Sequence, residues 1–172
     1  MNTQTATKAH AGLLAWLRRH HVDYELHEHE LTFTARQTAR AEGVDPQTFA
    51  KVVGVLAGEG MRVLIVVDAT DRLDLHKARE ALGARSVRLL DEVELDALAP
   101  SCERGTIPAV GDLFGLPLYA DHAVRADREI SFNAGSHEVS VRVDREAWEQ
   151  ATGVRYADLA ENLDRRPAWT WS

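Results

Sequence analysis

The first clear periodicity lies within residues 7–20. Leu13, Leu14, Trp16 and Leu17 fall close to one stripe at helical spacing, and Arg18, Arg19 and His20 close the C-terminal end, where cations suit the helix dipole. This predicts an amphipathic helix. Residues 22–27 then alternate, with Val22, Tyr24 and Leu26 on one side and Asp23, Glu25 and His27 on the other, the pattern of a half-buried strand. Thr34 and Gln37 stand three apart as a capping pair for a polar helix that Gly43 stops. Asp45-Pro46 predicts a short helical turn that delivers the chain to Lys51. Residues 52–57 and 61–68 are dense in Val, Ile and Leu and are separated by Gly58-Glu59-Gly60. They read as a hairpin whose second strand is central.

Further on, Asp74 predicts a cap, with Leu75, Ala78 and Leu82 on one helical face and Gly83 as the stop. A short strand is expected at 86–90, and a helix opened by Asp91 and Glu94 runs to about residue 98. Strands are expected at 117–122 and 129–133, and a turn at Ala134-Gly135-Ser136. An alternating strand follows at 137–143, then a last helix at 145–152 capped by Asp144. The mixture of helices and strands without strict alternation points to an α+β fold: a single domain with a mixed, mostly antiparallel sheet flanked by helices. The expected organisation is a helical extension over 1–21, a domain over 22–152 and a C-terminal tail over 153–172, whose Arg165, Arg166, Trp169 and Trp171 could touch RNA.

Between the helix ending near 98 and the strand at 117 lies Ser101-Cys102-Glu103-Arg104-Gly105-Thr106-Ile107-Pro108-Ala109-Val110-Gly111. Gly105 and Gly111 permit backbone angles closed to other residues, and Pro108 fixes one angle and lacks an amide donor. Such a loop can turn main-chain N–H groups toward a ligand; equally, it can be only a turn.

Composition narrows the chemistry. A chain of 172 residues with 45% hydrophobic and 27% charged residues is of globular type, and no apolar run approaches the ~20 residues of a membrane span. The polar N-terminus lacks a signal-peptide core, so the cytoplasm is expected. A net charge of -7 argues against a general nucleic-acid binder but leaves room for one focused contact with an RNA end. The single cysteine, Cys102, excludes an internal disulfide and a multi-cysteine zinc site; it is either a nucleophile or an inert thiol.

Lys51, where a short turn meets an apolar strand, is either a cation for a phosphate or a lysine that snorkels to the surface. His137, beside a tight turn, can exchange a proton near neutral pH or simply bond to main chain. His27 and His29, inside the cluster His20, His21, Glu28 and Glu30, could bind zinc from one strand face, although spacing provides no third ligand. No P-loop, dinucleotide fingerprint or Gly-x-Ser-x-Gly elbow is present.

Taken in order, several motifs resemble one family. They are Phe33-Thr34-Ala35, Ala50-Lys51, Leu73-Asp74-Leu75-His76-Lys77, Ala81-Leu82-Gly83-Ala84, Gly105-Thr106-Ile107-Pro108, Gly111, and Phe132-Asn133-Ala134-Gly135-Ser136-His137. Together they resemble the YbaK / prolyl-tRNA synthetase-associated editing domain, over roughly residues 22–152. The resemblance implies a trans-editing deacylase that removes a small amino acid such as Ala, Ser, Cys or Thr from mischarged tRNA. Its partner would be the 3′ acceptor end of aminoacyl-tRNA, with an aminoacyl-tRNA synthetase as a second candidate, and with no membrane, no metal and no cofactor. It implies that Lys51 holds a terminal phosphate and that the main chain of Gly105, Thr106, Ile107 and Pro108 meets the aminoacyl group and the attacking water. Tyr24, Phe33, Thr34, Ser136 and His137 would line the substrate pocket. Val52 and Arg104 depart from the family pattern, at positions where the family has an asparagine and the first glycine of a longer loop. They keep open the alternative of a non-catalytic tRNA-binding module of the same fold.

Overall fold

The computed structural model describes residues 8–29, 32, 34–45 and 48–162. Among them are five α-helices: α1 (Ala11–Arg19), α2 (Ala35–Glu42), α3 (Leu75–Leu82), α4 (Glu92–Leu98) and α5 (Arg145–Thr152). The ten strands are β1 (Tyr24–Glu28), β2 (Ala50–Ala57), β3 (Met61–Asp68), β4 (Asp71–Leu73), β5 (Val87–Leu89), β6 (Leu118–Asp121), β7 (Glu129–Ser136), β8 (Val139–Asp144), β9 (Arg155–Ala157) and β10 (Ala160–Asn162). A five-stranded sheet runs β5-β2-β3-β6-β9, a three-stranded sheet runs β1-β8-β7, and β4 pairs with β10. Only the β3–β6 and β6–β9 ladders are parallel, so the α+β architecture with a mostly antiparallel mixed sheet is the one observed.

Local chemistry explains the element ends. Thr34 accepts a hydrogen bond from Gln37 N–H at the start of α2. Asp74 accepts from His76 and Lys77 N–H at the start of α3. Asp91 and Glu94 form a complete capping box on α4, and Asp144 accepts from Ala147 N–H on α5. Each such cap satisfies donors that the helix cannot, and is worth about 1 kcal/mol. Ala57 pairs with Met61 across the glycine turn, and β3 lies at the centre of its sheet.

The main core lies between the two larger sheets. It gathers Leu64 and Val66 from β3, Ile130 and Phe132 from β7, Val139, Val141 and Val143 from β8, Leu13 and Leu17 from α1, and Trp148 from α5. Full burial of each such side chain contributes about 1.5–3 kcal/mol. The opposite face of β2 and β3 forms a second core with Ala78 and Leu159. A third, small core sets Ala39 of α2 on Phe49 and Ala69.

Four expectations are revised. Leu75 is 37% exposed: as the first residue of α3 it stands at the end of the apolar face and outside the second core, which takes in Ala78 and Leu82. Ala134-Gly135-Ser136 is not the hairpin turn. β7 continues through Ser136, which pairs with Val139, and the turn is His137-Glu138. Gly135, at φ +87°, makes this possible by absorbing an irregularity in the ladder between Asn133 and Ser136. Strand β8 therefore begins at Val139, and His137 lies in the turn instead of opening the strand. Finally, the segment after residue 152 contributes β9 and β10. Asp121 holds it, accepting hydrogen bonds from Leu159 and Ala160 N–H at 2.9 Å each. Pro46 and the aromatic and basic residues beyond 162 lie outside the described residues.

Gly111 has no room for a side chain: a Cβ there would fall 2.2 Å from the carbonyl oxygen of Leu116. Gly111→Ala should therefore cost about 1–3 kcal/mol in denaturant unfolding. Gly60→Ala, where nothing lies within 4 Å, should change stability by less than about 0.5 kcal/mol.

Candidate active site

The site is built where β2 meets β7. Phe49 and Ser131 form a parallel bridge, and Ser131 N–H donates to Thr48 O at 3.1 Å. Ala50 and Val52 of β2, like Ile130 and Phe132 of β7, face the main core. Strand alternation then places Lys51 and Asn133, each two residues beyond the bridge, on the opposite, shared face. Asn133 is 8% exposed, and its Nδ2 lies 3.5 Å from the carbonyl oxygen of Gly105. The Cα of Gly105 faces the ring of His137: a Cβ built on it would lie 3.9 Å from His137 Cε1. Asn133, Gly105 and His137 are thus brought together, and Lys51 lies on the strand face that register gives to Asn133.

The loop is held by main chain. Glu103 N–H donates to Gly135 O, and Gly135 N–H donates to Thr106 O, both at 3.0 Å. Thr106 is fully buried, and both its hydroxyl and its N–H donate to Glu103 O. Pro108 is buried, Ile107 packs against the main core, and Trp148 Nε1 donates to Ala109 O at 2.7 Å. Of the four loop residues singled out from the sequence, Gly105 alone is exposed, at φ +81°. The Thr106 amide is occupied within the loop. Gly105 and Ile107 N–H donate to no main-chain carbonyl among the described residues.

Arg104, which stands where a glycine was expected, turns away. Its guanidinium binds Asp96 at 2.8 Å and Glu92 at 2.7 Å on α4. These contacts hold the Asp96 carboxyl below the usual carboxylate range. Val52 faces the core on the other side of β2 from Lys51. Neither departure obstructs the shared face.

Lys51 is half-buried. Burial lowers its pKa from the ordinary lysine value; the Asp71 carboxylate opposes this, and Arg36 and Arg72 add to it. A cation with part of its hydration removed gains more from an incoming anion than an exposed lysine does. Arg36 lies in the first turn of α2, so its cationic field overlaps that of Lys51.

Other expected residues are placed differently. Ser136 is buried, and its hydroxyl accepts from Glu138 N–H at 3.1 Å, so it shapes the turn that carries His137. The Thr34 hydroxyl caps α2. Tyr24 sits opposite Val143, at the end of β1 remote from Val139 and the His137 turn. It lines a groove with Asp23, Glu25, Glu129, Arg142 and Asp144. A strand rises about 3.4 Å per residue, so four residues of register separate Tyr24 from the site. Phe33 lies outside the described residues. His27 and His29 do not converge. His27 pairs with Glu25 at 3.3 Å, whereas His29 is buried beside Glu42 under α2. No group of three or more potential metal ligands occurs among the described residues. Asn133 had no assigned role; its only sequence signal was its place in the Phe132–His137 motif.

The model of the aminoacyl-tRNA editing domain matches residues 29–151. The chain belongs to that family. The editing domain is 30% identical over 132 residues to proline--tRNA ligase of Shouchella clausii (strain KSM-K16), a match that takes in 73% of this chain and 23% of that protein. It therefore spans about a quarter of that relative's length. Among solved structures, a candidate trans-editing enzyme for prolyl tRNA synthetase superposes with a TM-score of 0.77 at 25% identity, covering 94% of this chain and 99% of that one. The hypothetical protein APE2540 superposes with a TM-score of 0.79 at 22% identity, covering 87% and 99%. Among the described residues of the editing domain, no helix is long and apolar enough to cross a membrane.

Cys102 is half-buried, and burial pushes its thiol up to about 11. The thiolate needed for nucleophilic attack is therefore scarce at neutral pH. Iodoacetamide at about pH 8 should modify native Cys102 at least ~10-fold more slowly than free cysteine, with the full rate restored on unfolding.

Proposed function

We propose that the editing domain is a trans-editing hydrolase that deacylates tRNA mischarged with a small amino acid such as Ala, Ser, Cys or Thr. One observation carries the reading: the exposed main chain of Gly105 faces His137 beside Asn133, whose strand face also bears Lys51. Family membership supports the substrate class, and the structural likeness to a candidate trans-editing enzyme supports action as a separate protein.

The bond to be broken is an ester between an amino acid and a ribose hydroxyl. Its hydrolysis needs a placed water and donors for the developing oxyanion. Gly105 and Ile107 N–H are the loop amides left for that role, since Thr106 N–H is committed to Glu103 O. No side-chain nucleophile is invoked, in keeping with the protonated Cys102. The free ribose hydroxyl of the substrate orients or activates the water. Lys51 holds a phosphate of the terminal nucleotides, and His137 limits the room for the amino-acid side chain. Size exclusion of this kind separates one methylene by about 1–3 kcal/mol, which is the discrimination a second sieve adds.

The test is release of amino acid from a panel of labelled Ala-, Ser-, Cys- and Thr-charged tRNAs. Turnover of at least one is expected; binding of tRNA without turnover of any would instead identify a non-catalytic binding module. Lys51→Ala should raise KM about 10-fold or more with a smaller effect on kcat, and added salt should partly reproduce the defect in the unmodified protein. The affinity for tRNA should fall as pH rises through the lowered pKa of Lys51, because the cation is present below that pKa and lost above it. Lys51→Arg, charged throughout, should bind tRNA without that alkaline loss. Gly105→Ala places a side-chain carbon at φ +81° in ordinary contact with His137 Cε1 at 3.9 Å, so the backbone strain alone should cost about 1–3 kcal/mol of stability. It should lower kcat/KM by about 100-fold, more than that strain accounts for.

A further inference from the structure

The Gly105 loop is also gripped from the start of the chain, by a residue outside the matched span 29–151. His10 caps α1: its Nδ1 accepts the Leu13 N–H at 3.0 Å. A ring nitrogen that accepts carries no proton, so the neutral imidazole holds its proton on Nε2. That Nε2 lies 2.8 Å from Ser101 Oγ and donates to it. The main chain of His10 joins the other half of the site, donating to Ala134 O at 2.7 Å. Its side chain also fills the space over Gly135: a Cβ on Gly135 would lie 2.9 Å from His10 Cβ and 3.6 Å from both His10 Cδ2 and Cys102 Sγ. One side chain therefore touches the first residue of the loop and the glycine to which the loop is bonded.

We propose that His10 is a positioning residue for the Gly105 loop: its Nε2–H to Ser101 Oγ hydrogen bond clips the loop in its working shape, and protonation of the imidazole opens the clip. Charging the ring leaves the Nε2–H donor in place but puts a second proton on Nδ1, facing the Leu13 N–H donor; the cap is lost, the two donors repel, and the ring moves off the helix end and takes Nε2–H away from Ser101 Oγ. Several titratable groups lie on the segments around His10. Cys102 is protonated across the neutral range. Glu103 follows on the loop. Asp112 accepts from Trp16 Nε1 one turn along α1. Lys8 pairs with Glu28 and Glu138. Burial alone lowers the imidazole pKa, and none of these charges offsets it. The clip is thus closed at neutral pH and opens as pH falls through the lowered value.

The clip itself is independent of the deacylase reading; only its consequence for turnover rests on that reading. Cys102, next to Ser101, reports the clip without any substrate, through its rate of labelling by a pyridyl disulfide. At about pH 7.5, His10→Asn keeps a helix cap but no longer reaches Ser101, and should label about 5–10-fold faster than wild type, the opening expected from loss of one hydrogen bond. Ser101→Ala should do the same, and the double variant should be no faster than either single one. His10→Gln places an amide N–H near the Nε2 position and should stay within about twofold of wild type. Labelling of the wild type, relative to His10→Asn, should accelerate as pH falls. With mischarged tRNA, kcat should fall in the same order while KM stays nearly constant. Equal labelling of wild type, His10→Asn and Ser101→Ala, or effects that add in the double variant, would overturn the proposal. The labelling pattern without turnover of any aminoacyl-tRNA by the wild type would leave the clip standing and remove the deacylase reading.

Discussion

A break in one β ladder provides the hydrogen bonds on which the site depends. Between Asn133 and Ser136 the register of β7 against β8 shifts, so Ala134 and Gly135 are left out of that ladder. A main-chain N–H or C=O removed from a ladder must find another partner if it stays buried. Here the partners are His10, which donates to Ala134 O, and the Gly105 loop, which bonds to both the N–H and the C=O of Gly135. The irregular strand end thus becomes the docking edge for two segments that are remote in sequence. Gly135 is required twice: for its φ of +87° and because a side chain there would displace His10.

The electrostatic arrangement follows from the same meeting of strands. The chain is acidic overall, with a net charge of -7. Lys51 stands half-buried where the Asp71 carboxylate opposes the cationic field of Arg36 and Arg72, and Arg72 is itself paired with Glu161 at 3.0 Å. A single cation in this setting suits one phosphate and not the length of a polyanion, since general binding scales with the number of phosphates neutralised. Arg104 does not add to this field. Asp96 and Glu92 neutralise it, and its effect is to pin the loop to α4.

The residues that carry the site are mostly not those with conspicuous chemistry. Ser136, Thr34 and Thr106 have hydroxyls that suit substrate contact, but each is committed to local structure: a turn, a helix cap and a loop bond. Cys102 is protonated by burial. What faces outward is the main chain of Gly105, with the ring of His137 beside it. The proposed catalysis by preorganised backbone needs rigidity more than reactive side chains; the loop is anchored at Gly135, Trp148 and α4.

Much of the fold was legible in the residues, because the signals for it are local. The caps Thr34, Asp74, Asp91 and Asp144, the stops Gly43 and Gly83, and the valine-rich β2–β3 hairpin depend on neighbours within a few positions. The motifs that contain Lys51, the Gly105 loop and His137 were also legible, as the spaced pattern of the family whose model matches residues 29–151. The meeting of β2 with β7 was not, because it depends on the Phe49–Ser131 bridge, which joins strands more than 80 positions apart. The same is true of Tyr24, whose pattern shows a half-buried strand but not which end of the sheet it occupies. The extension of β7 beyond Asn133 and the pairing of β9 and β10 needed the tertiary structure as well. Short segments with weak periodicity become strands only when a partner edge is available, and a glycine that reads as a turn in isolation becomes a bulge once main chain from elsewhere takes its hydrogen bonds.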